Sequence, residues 1–141
     1  MADFVDTNIL LYTISSDPAE ESKRRIAQSI LERTDCVLSV QVLQEFYYRA
    51  TTQKKSCGTS FQPISPRVAE DLIATWLRFR VESMTVAMVQ KAMKISQTSI
   101  LSYWDSALIV AAEQAGCQLL ITEDLNHSQV IGTIRIHNPF V

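Results

Sequence analysis

Apolar positions along the chain alternate between short continuous runs and stripes of helical spacing. The run Phe4-Val5 ends at Asp6 and predicts a buried strand over residues 3–6. Asp6-Thr7-Asn8 then supplies residue types that cap helices, and Ile9-Leu10-Leu11-Tyr12 opens an apolar helix. Residues 18–33 predict a second helix: Pro18 suits a first turn, Glu20 and Glu21 favour its positive end, and Ala27, Ile30 and Leu31 form its apolar face. Cys36-Val37-Leu38 predicts a second strand. Ser39 can cap the helix that follows to about Thr51, with Val42, Leu43, Phe46 and Ala50 as its stripe. A helix over 66–79, a strand over 81–84 and helices over 86–97 and 102–115 come next, with Gly116 as a natural stop. Residues 118–122 and 133–136 read as further strands.

Strands that alternate with helices predict an α/β fold with a parallel sheet. No internal repeat is visible. Residues 52–66 hold Lys, Ser, Gly and two Pro with little periodicity, and read as a loop able to lie over a site. At 141 residues, 47% hydrophobic and 20% charged, the chain is expected to form one domain, 1–141, with a core of its own.

No apolar stretch reaches the roughly 18 residues of a membrane span. The first residues lack the basic-then-apolar layout of a signal peptide, so a cytoplasmic location is expected. Cys36, Cys57 and Cys117 form no C-x-x-C pair, which argues against a zinc or redox site; Cys36 and Cys117 adjoin apolar runs and are expected in the core. The net charge of −2 does not advertise nucleic-acid binding, although Lys23-Arg24-Arg25, Arg49 with Lys54-Lys55, and Arg78 with Arg80 form local basic groups. Trp76, Phe79, Tyr103 and Trp104 occupy helical positions and are expected to pack inward, as are Tyr47 and Tyr48. His127 and His137 have no metal-ligand spacing and are expected to be surface or core filler.

Four acids stand at structured positions: Asp6, Glu45, Asp105 and Asp124. Asp6 and Asp124 each follow a predicted strand, and in open parallel sheets ligands bind beyond the carboxyl ends of strands. Asp105 lies in line with Leu101, Leu108, Ile109 and Ala112, so a helix that buries those turns Asp105 inward. Each acid also has an ordinary reading: a helix cap for Asp6, a turn acid for Asp124, a capping box from Ser102 for Asp105, and a surface pair with Arg49 for Glu45. Convergence of all four would demand a cation, because two carboxylates about 4 Å apart repel by ~4 kcal/mol at an effective dielectric of 20. All-oxygen ligation points to Mg²⁺ or Mn²⁺. Such an ion can activate water for phosphodiester cleavage.

The motifs Phe4-Val5-Asp6-Thr7-Asn8-Ile9-Leu10, Ser39-Val40-Gln41-Val42-Leu43-Gln44-Glu45-Phe46, Tyr103-Trp104-Asp105-Ser106-Ala107-Leu108-Ile109 and Leu120-Ile121-Thr122-Glu123-Asp124-Leu125 carry a further signal in their order and spacing. Through them the chain resembles the PIN-domain ribonucleases, especially the VapC-type toxins of bacterial type II toxin–antitoxin pairs. The resemblance covers nearly the whole chain. It implies a three-layer α/β/α fold around a mostly parallel sheet of four to five strands. It also implies an endoribonuclease acting on single-stranded or structured RNA, with Mg²⁺ or Mn²⁺ held by Asp6, Glu45, Asp105 and Asp124. Asn8 and Thr122 correspond to polar residues that orient ligands in relatives, and Glu123 is an additional acid expected to point away from Asp124. An antitoxin partner and a homodimer are implied as well. Ser128 departs from the family, where many relatives have Gly.

Other readings compete. A non-toxin or catalytically weak module that binds RNA or protein would keep the fold without the chemistry. A phosphatase with Asp6 as nucleophile would want a second Asp at position 8, where Asn8 stands.

Overall fold

The computed structural model describes residues 2–52 and 62–141. Most of the expected 52–66 loop, with Cys57, Lys54 and Lys55, lies outside these residues. Six strands form a single sheet: β1 (Asp3–Val5), β2 (Cys36–Ser39), β3 (Arg80–Glu82), β4 (Leu119–Ile121), β5 (Val130–Ile131) and β6 (Ile134–His137). Their spatial order is β3-β2-β1-β4-β6-β5. Every pairing is parallel except β5 with β6. The α/β class with a mostly parallel sheet is therefore as expected. Two-residue β5 takes the strand count past the expected four to five. A two-residue strand leaves no readable alternation, and only its pairing with Arg135 and Ile134 defines it.

The helices are α1 (Thr7–Tyr12), α2 (Glu21–Leu31), α3 (Val40–Thr51), α4 (Pro66–Trp76), α5 (Val86–Thr98) and α6 (Tyr103–Gln114). A short 3-10 turn over Pro18–Glu20 precedes α2, so the expected first turn at Pro18 exists but is wound more tightly. Helix α4 ends three residues earlier than expected, and β3 starts one residue earlier. Helix α1 packs on α2 and α3, and α3 on α4, whereas α5 packs on α6, which lies against β2, β4 and β6. Right-handed crossovers place these two groups on opposite faces.

The core follows the stripes. Phe4, Val5, Leu38, Phe46, Ile109, Leu120 and Ile136 are fully or almost fully buried. Phe46 meets Trp76 edge to face at 4.7 Å between ring centroids. Cys36 and Cys117 are buried free thiols, whose pKa burial pushes up to about 11. Among the described residues no helix is long and apolar enough to cross a membrane.

Not all aromatics behaved as expected. Trp76 and Phe79 are buried, but Trp104 is 66% exposed and Tyr48 is 67% exposed. Helical position alone does not tell which face of a first turn meets the sheet. Trp104 falls on the outer face of α6, two residues ahead of the buried run from Ser106 to Ala112.

Candidate functional site

The strand order reverses between β1 and β4, since β1 leads outward to β2 and β3 while β4 leads outward to β6. Strands on either side of such a switch point leave a crevice beyond their carboxyl ends. Asp6 emerges there directly after β1, and Thr122-Glu123-Asp124 directly after β4. The Asp6 amide donates to the Ile121 carbonyl at 3.0 Å, which extends the β1–β4 pairing to the rim. Helix α6 joins β4 through only Gly116 to Gln118, so its amino end, with Asp105, lies on the same edge. Gly116 makes that reversal with φ +76°, a left-handed conformation natural to glycine.

Asp6 is buried, yet its carboxylate is fully engaged. One oxygen accepts the Thr7 amide at 2.7 Å; the other accepts the Thr122 hydroxyl at 2.8 Å and the Asn8 side-chain amide at 3.2 Å. The helix-cap reading of Asp6 therefore holds, and the same side chain faces Thr122 and Asn8 at the sheet edge. Burial raises its pKa to about 7; the charges of Asp124 and Glu45 push the same way, against the hydrogen bonds from Thr122 and Thr7.

Asn8 ties the site together. Its amide nitrogen also lies 3.0 Å from an Asp124 oxygen and 2.9 Å from the Thr122 hydroxyl, and its carbonyl oxygen accepts the Glu123 amide at 3.4 Å. The Thr122 hydroxyl in turn accepts the Asp124 amide at 3.1 Å. Here Asn8 serves as a donor between two carboxylates, a part that the acid required by the phosphatase reading could not play.

Glu45, on α3, is half-buried. The Thr7 hydroxyl donates to it at 3.2 Å and Arg49 at 3.2 Å, so the surface pair with Arg49 is real as well. Ser39 caps α3 by accepting the Val42 amide. Asp105 is half-buried rather than fully turned inward. Burial raises its pKa; a side-chain hydrogen bond with Ser102 opposes the shift, and the charges of Asp124 and Glu45 add to it. Those mutual effects among Asp6, Glu45, Asp105 and Asp124 mark the four acids as neighbours.

Among the described residues no three His, Cys, Asp or Glu side chains stand close enough to hold a metal ion as they are placed. Mg²⁺ seldom needs such a cage: it is usually held by one or two carboxylates, waters and substrate phosphate oxygens. The donor set here is wholly oxygen. A buried acid with a raised pKa, under the charges of two other carboxylates, gains from a cation. Both features fit a hard divalent ion.

Glu123 has its partners outside the four acids, although strand alternation is not the reason, since β4 ends at Ile121 and Glu123 lies in a bend. It binds Lys23 at 2.8 Å and the Tyr12 hydroxyl. Sequence reasoning missed this contact, because nothing local links positions 12, 23 and 123. It also missed the approach of His127 to His137, whose rings lie 5.5 Å apart. The basic groups are largely occupied: Arg24 and Arg25 pair with Glu21, and Arg80 pairs with Glu82.

The family model for the PIN domain matches residues 4–132. No curated protein matches the sequence significantly. Among solved structures, a toxin–antitoxin complex from Klebsiella pneumoniae aligns with TM-score 0.69 and 18% identity, over 99% of this chain and 98% of that one. The sarcin–ricin loop cleaving toxin VapC20 of Mycobacterium tuberculosis aligns with TM-score 0.61 and 20% identity, over 84% and 87%. A DNA-bound VapBC from Salmonella typhimurium aligns with TM-score 0.61 and 21% identity, over 99% and 98%. At these identities the likeness is one of fold.

Proposed function

The chain belongs to the PIN-domain family, and from that premise we propose that it is a Mg²⁺- or Mn²⁺-dependent endoribonuclease, the toxin of a toxin–antitoxin pair. The observation that carries the reading is Asp6: a carboxylate buried at the switch point and bonded to Thr7, Asn8 and Thr122, its pKa raised to about 7 chiefly by burial and further by Asp124 and Glu45. Perturbed carboxylates of this kind cluster at functional sites.

In this reading Asp6, Glu45, Asp105 and Asp124 hold the ion, while Asn8 and Thr122 orient Asp6 and Asp124. When bound, the ion supplies charge for the phosphate and lowers the pKa of water for attack. Thr7 holds Glu45 by its hydroxyl and Asp6 by its amide, so one residue sets two of the four acids. Single-stranded or structured RNA is the proposed substrate. The aligned VapC20 is described as cleaving the sarcin–ricin loop, and several aligned structures are complexes with an antitoxin. An antitoxin protein as inhibitor and a homodimer complete the proposal.

The test is cleavage of end-labelled RNA with Mn²⁺ by wild type, Asp6→Asn and Asp105→Asn. Each variant should lose at least ~100-fold in rate, the upper end of what even a supporting residue of a metal site contributes. RNA that binds but is never cut would favour the alternative, a binding module that keeps the fold. Retained cleavage in both variants would sink the site assignment. For the toxin role, a neighbouring small open reading frame whose product inhibits the cleavage is the expected finding.

A further inference from the structure

Asp124 stands in a bend of irregular backbone between β4 and β5, where no sheet pairing holds it. On the site side, Asn8 and Thr122 fix the bend. The other side is fixed by Glu123. Its carboxylate accepts Lys23 Nζ, from α2, at 2.8 Å, and the Tyr12 hydroxyl, from the end of α1. Lys23 also donates to the Tyr12 oxygen at 3.3 Å and lies 5.0 Å from the centroid of the Tyr12 ring. Phe140 closes the group, edge-on to Tyr12 at 5.1 Å and 5.3 Å from Lys23 Nζ.

We propose that Glu123, held by Lys23 and Tyr12, is a positioning residue that sets Asp124 for the cation. This inference rests on the endoribonuclease reading. Two helices distant from it in sequence, α1 through Tyr12 and α2 through Lys23, converge on one carboxylate whose partners lie outside the four acids. Lys23 balances the charge of Glu123, so the bend carries a fifth carboxylate without adding it to the site's repulsion. Tyr12 is half-buried and stays a neutral donor. Glu123 and Asp124 share one planar peptide unit, so anchoring Glu123 leaves only the dihedrals of the bend to place the Asp124 side chain. Supporting residues of this kind typically change metal affinity or rate by about 10- to 100-fold.

The experiment compares wild type, Glu123→Gln, Lys23→Met, Lys23→Arg, Asp124→Asn and the double variant Glu123→Gln/Asp124→Asn. The readouts are Mn²⁺ affinity by titration calorimetry, RNA cleavage and amide hydrogen exchange. Glu123→Gln and Lys23→Met should each weaken Mn²⁺ binding about 10- to 100-fold and lower kcat similarly, with KM for RNA unchanged. Lys23→Arg should retain most of both. In the Asp124→Asn background, Glu123→Gln should cause no further loss of Mn²⁺ affinity, because its effect passes through Asp124. Wild-type affinity in Glu123→Gln, or an additive loss in the double variant, overturns the proposal. If wild type neither binds Mn²⁺ nor cuts RNA, the endoribonuclease reading fails by itself. Faster exchange at the Asp124 and Leu125 amides of Glu123→Gln would still support the positioning claim, and unchanged exchange would overturn it.

Discussion

The Asn8 side-chain amide stands 3.0 Å from an Asp124 carboxylate oxygen, although 116 residues separate the two. The same nitrogen reaches Asp6 at 3.2 Å. One neutral donor thus holds carboxylates from both ends of the chain together before any cation is present. Asn8→Ala should leave those acceptors facing each other without a donor. Urea unfolding of the metal-free protein should show a loss of about 1–3 kcal/mol. Cleavage should fall about 10- to 100-fold with it. Unchanged stability would mean the bridge is weak.

Asp6 makes stability depend on pH with an unusual sign. Its pKa is about 7 in the folded chain against 3.8 as a free side chain. Below about pH 4 both states are protonated. Between about 4 and 7 only the unfolded state ionises, so folding stability falls as pH rises, then levels off. The total is on the order of a few kcal/mol, which corresponds to roughly 5–10 °C in melting temperature. Melts in EDTA at pH 5 and 8 should show that drop in wild type and a much smaller one in Asp6→Asn. Mn²⁺ should bind more tightly as pH rises through 7, since a ligand must be deprotonated.

Glu45 separates function from fold most cleanly. Its pair with Arg49 is partly exposed on both sides, 41% and 35%, and such pairs contribute about 0–1 kcal/mol. Glu45→Gln should therefore change the urea midpoint by less than that, while cleavage drops at least ~100-fold if Glu45 is a ligand. Full activity in Glu45→Gln would reduce it to a surface partner of Arg49.

Ser128 holds φ at +70°, a left-handed conformation that costs a side-chain-bearing residue about 1–2 kcal/mol. Its amide donates to the Ile136 carbonyl at 2.8 Å, which fixes the backbone there. Glycine adopts this backbone without that cost. Ser128→Gly should raise stability by up to about 1 kcal/mol, since glycine's greater freedom when unfolded returns part of the gain. Thermal melts with equal cleavage rates would confirm it.

Gly132 is the opposite case. It has φ +60°, and a Cβ there would lie 2.7 Å from a Glu113 oxygen that the Thr133 amide and hydroxyl already occupy. Gly132→Ala should cost about 1–2 kcal/mol in unfolding experiments. An unchanged midpoint would show that Glu113 moves aside freely.

Much of this was legible in the sequence, for local reasons. Strand and helix periods, the caps at Ser39 and Ser102, and the stop at Gly116 depend on neighbours a few residues away. Asp6 and Asp124 could be placed on one sheet edge because each follows a strand, and parallel strands share a carboxyl end. The exposure of Trp104 was not legible: in a first helical turn, apolar character does not say which side the sheet will cover.

The sequence by itself determined which residue types stand at strand ends and helix starts, and hence the α/β class and the four candidate acids. Only the tertiary structure decided how those acids are held. Asn8 between Asp6 and Asp124, Thr7 on Glu45, and Glu123 turned to Lys23 and Tyr12 are contacts between segments far apart in the chain. Their partners are set by the strand order β2-β1-β4 and by helix packing. A hydrogen bond needs its atoms within about 3 Å, and no spacing along a chain encodes that across 116 residues.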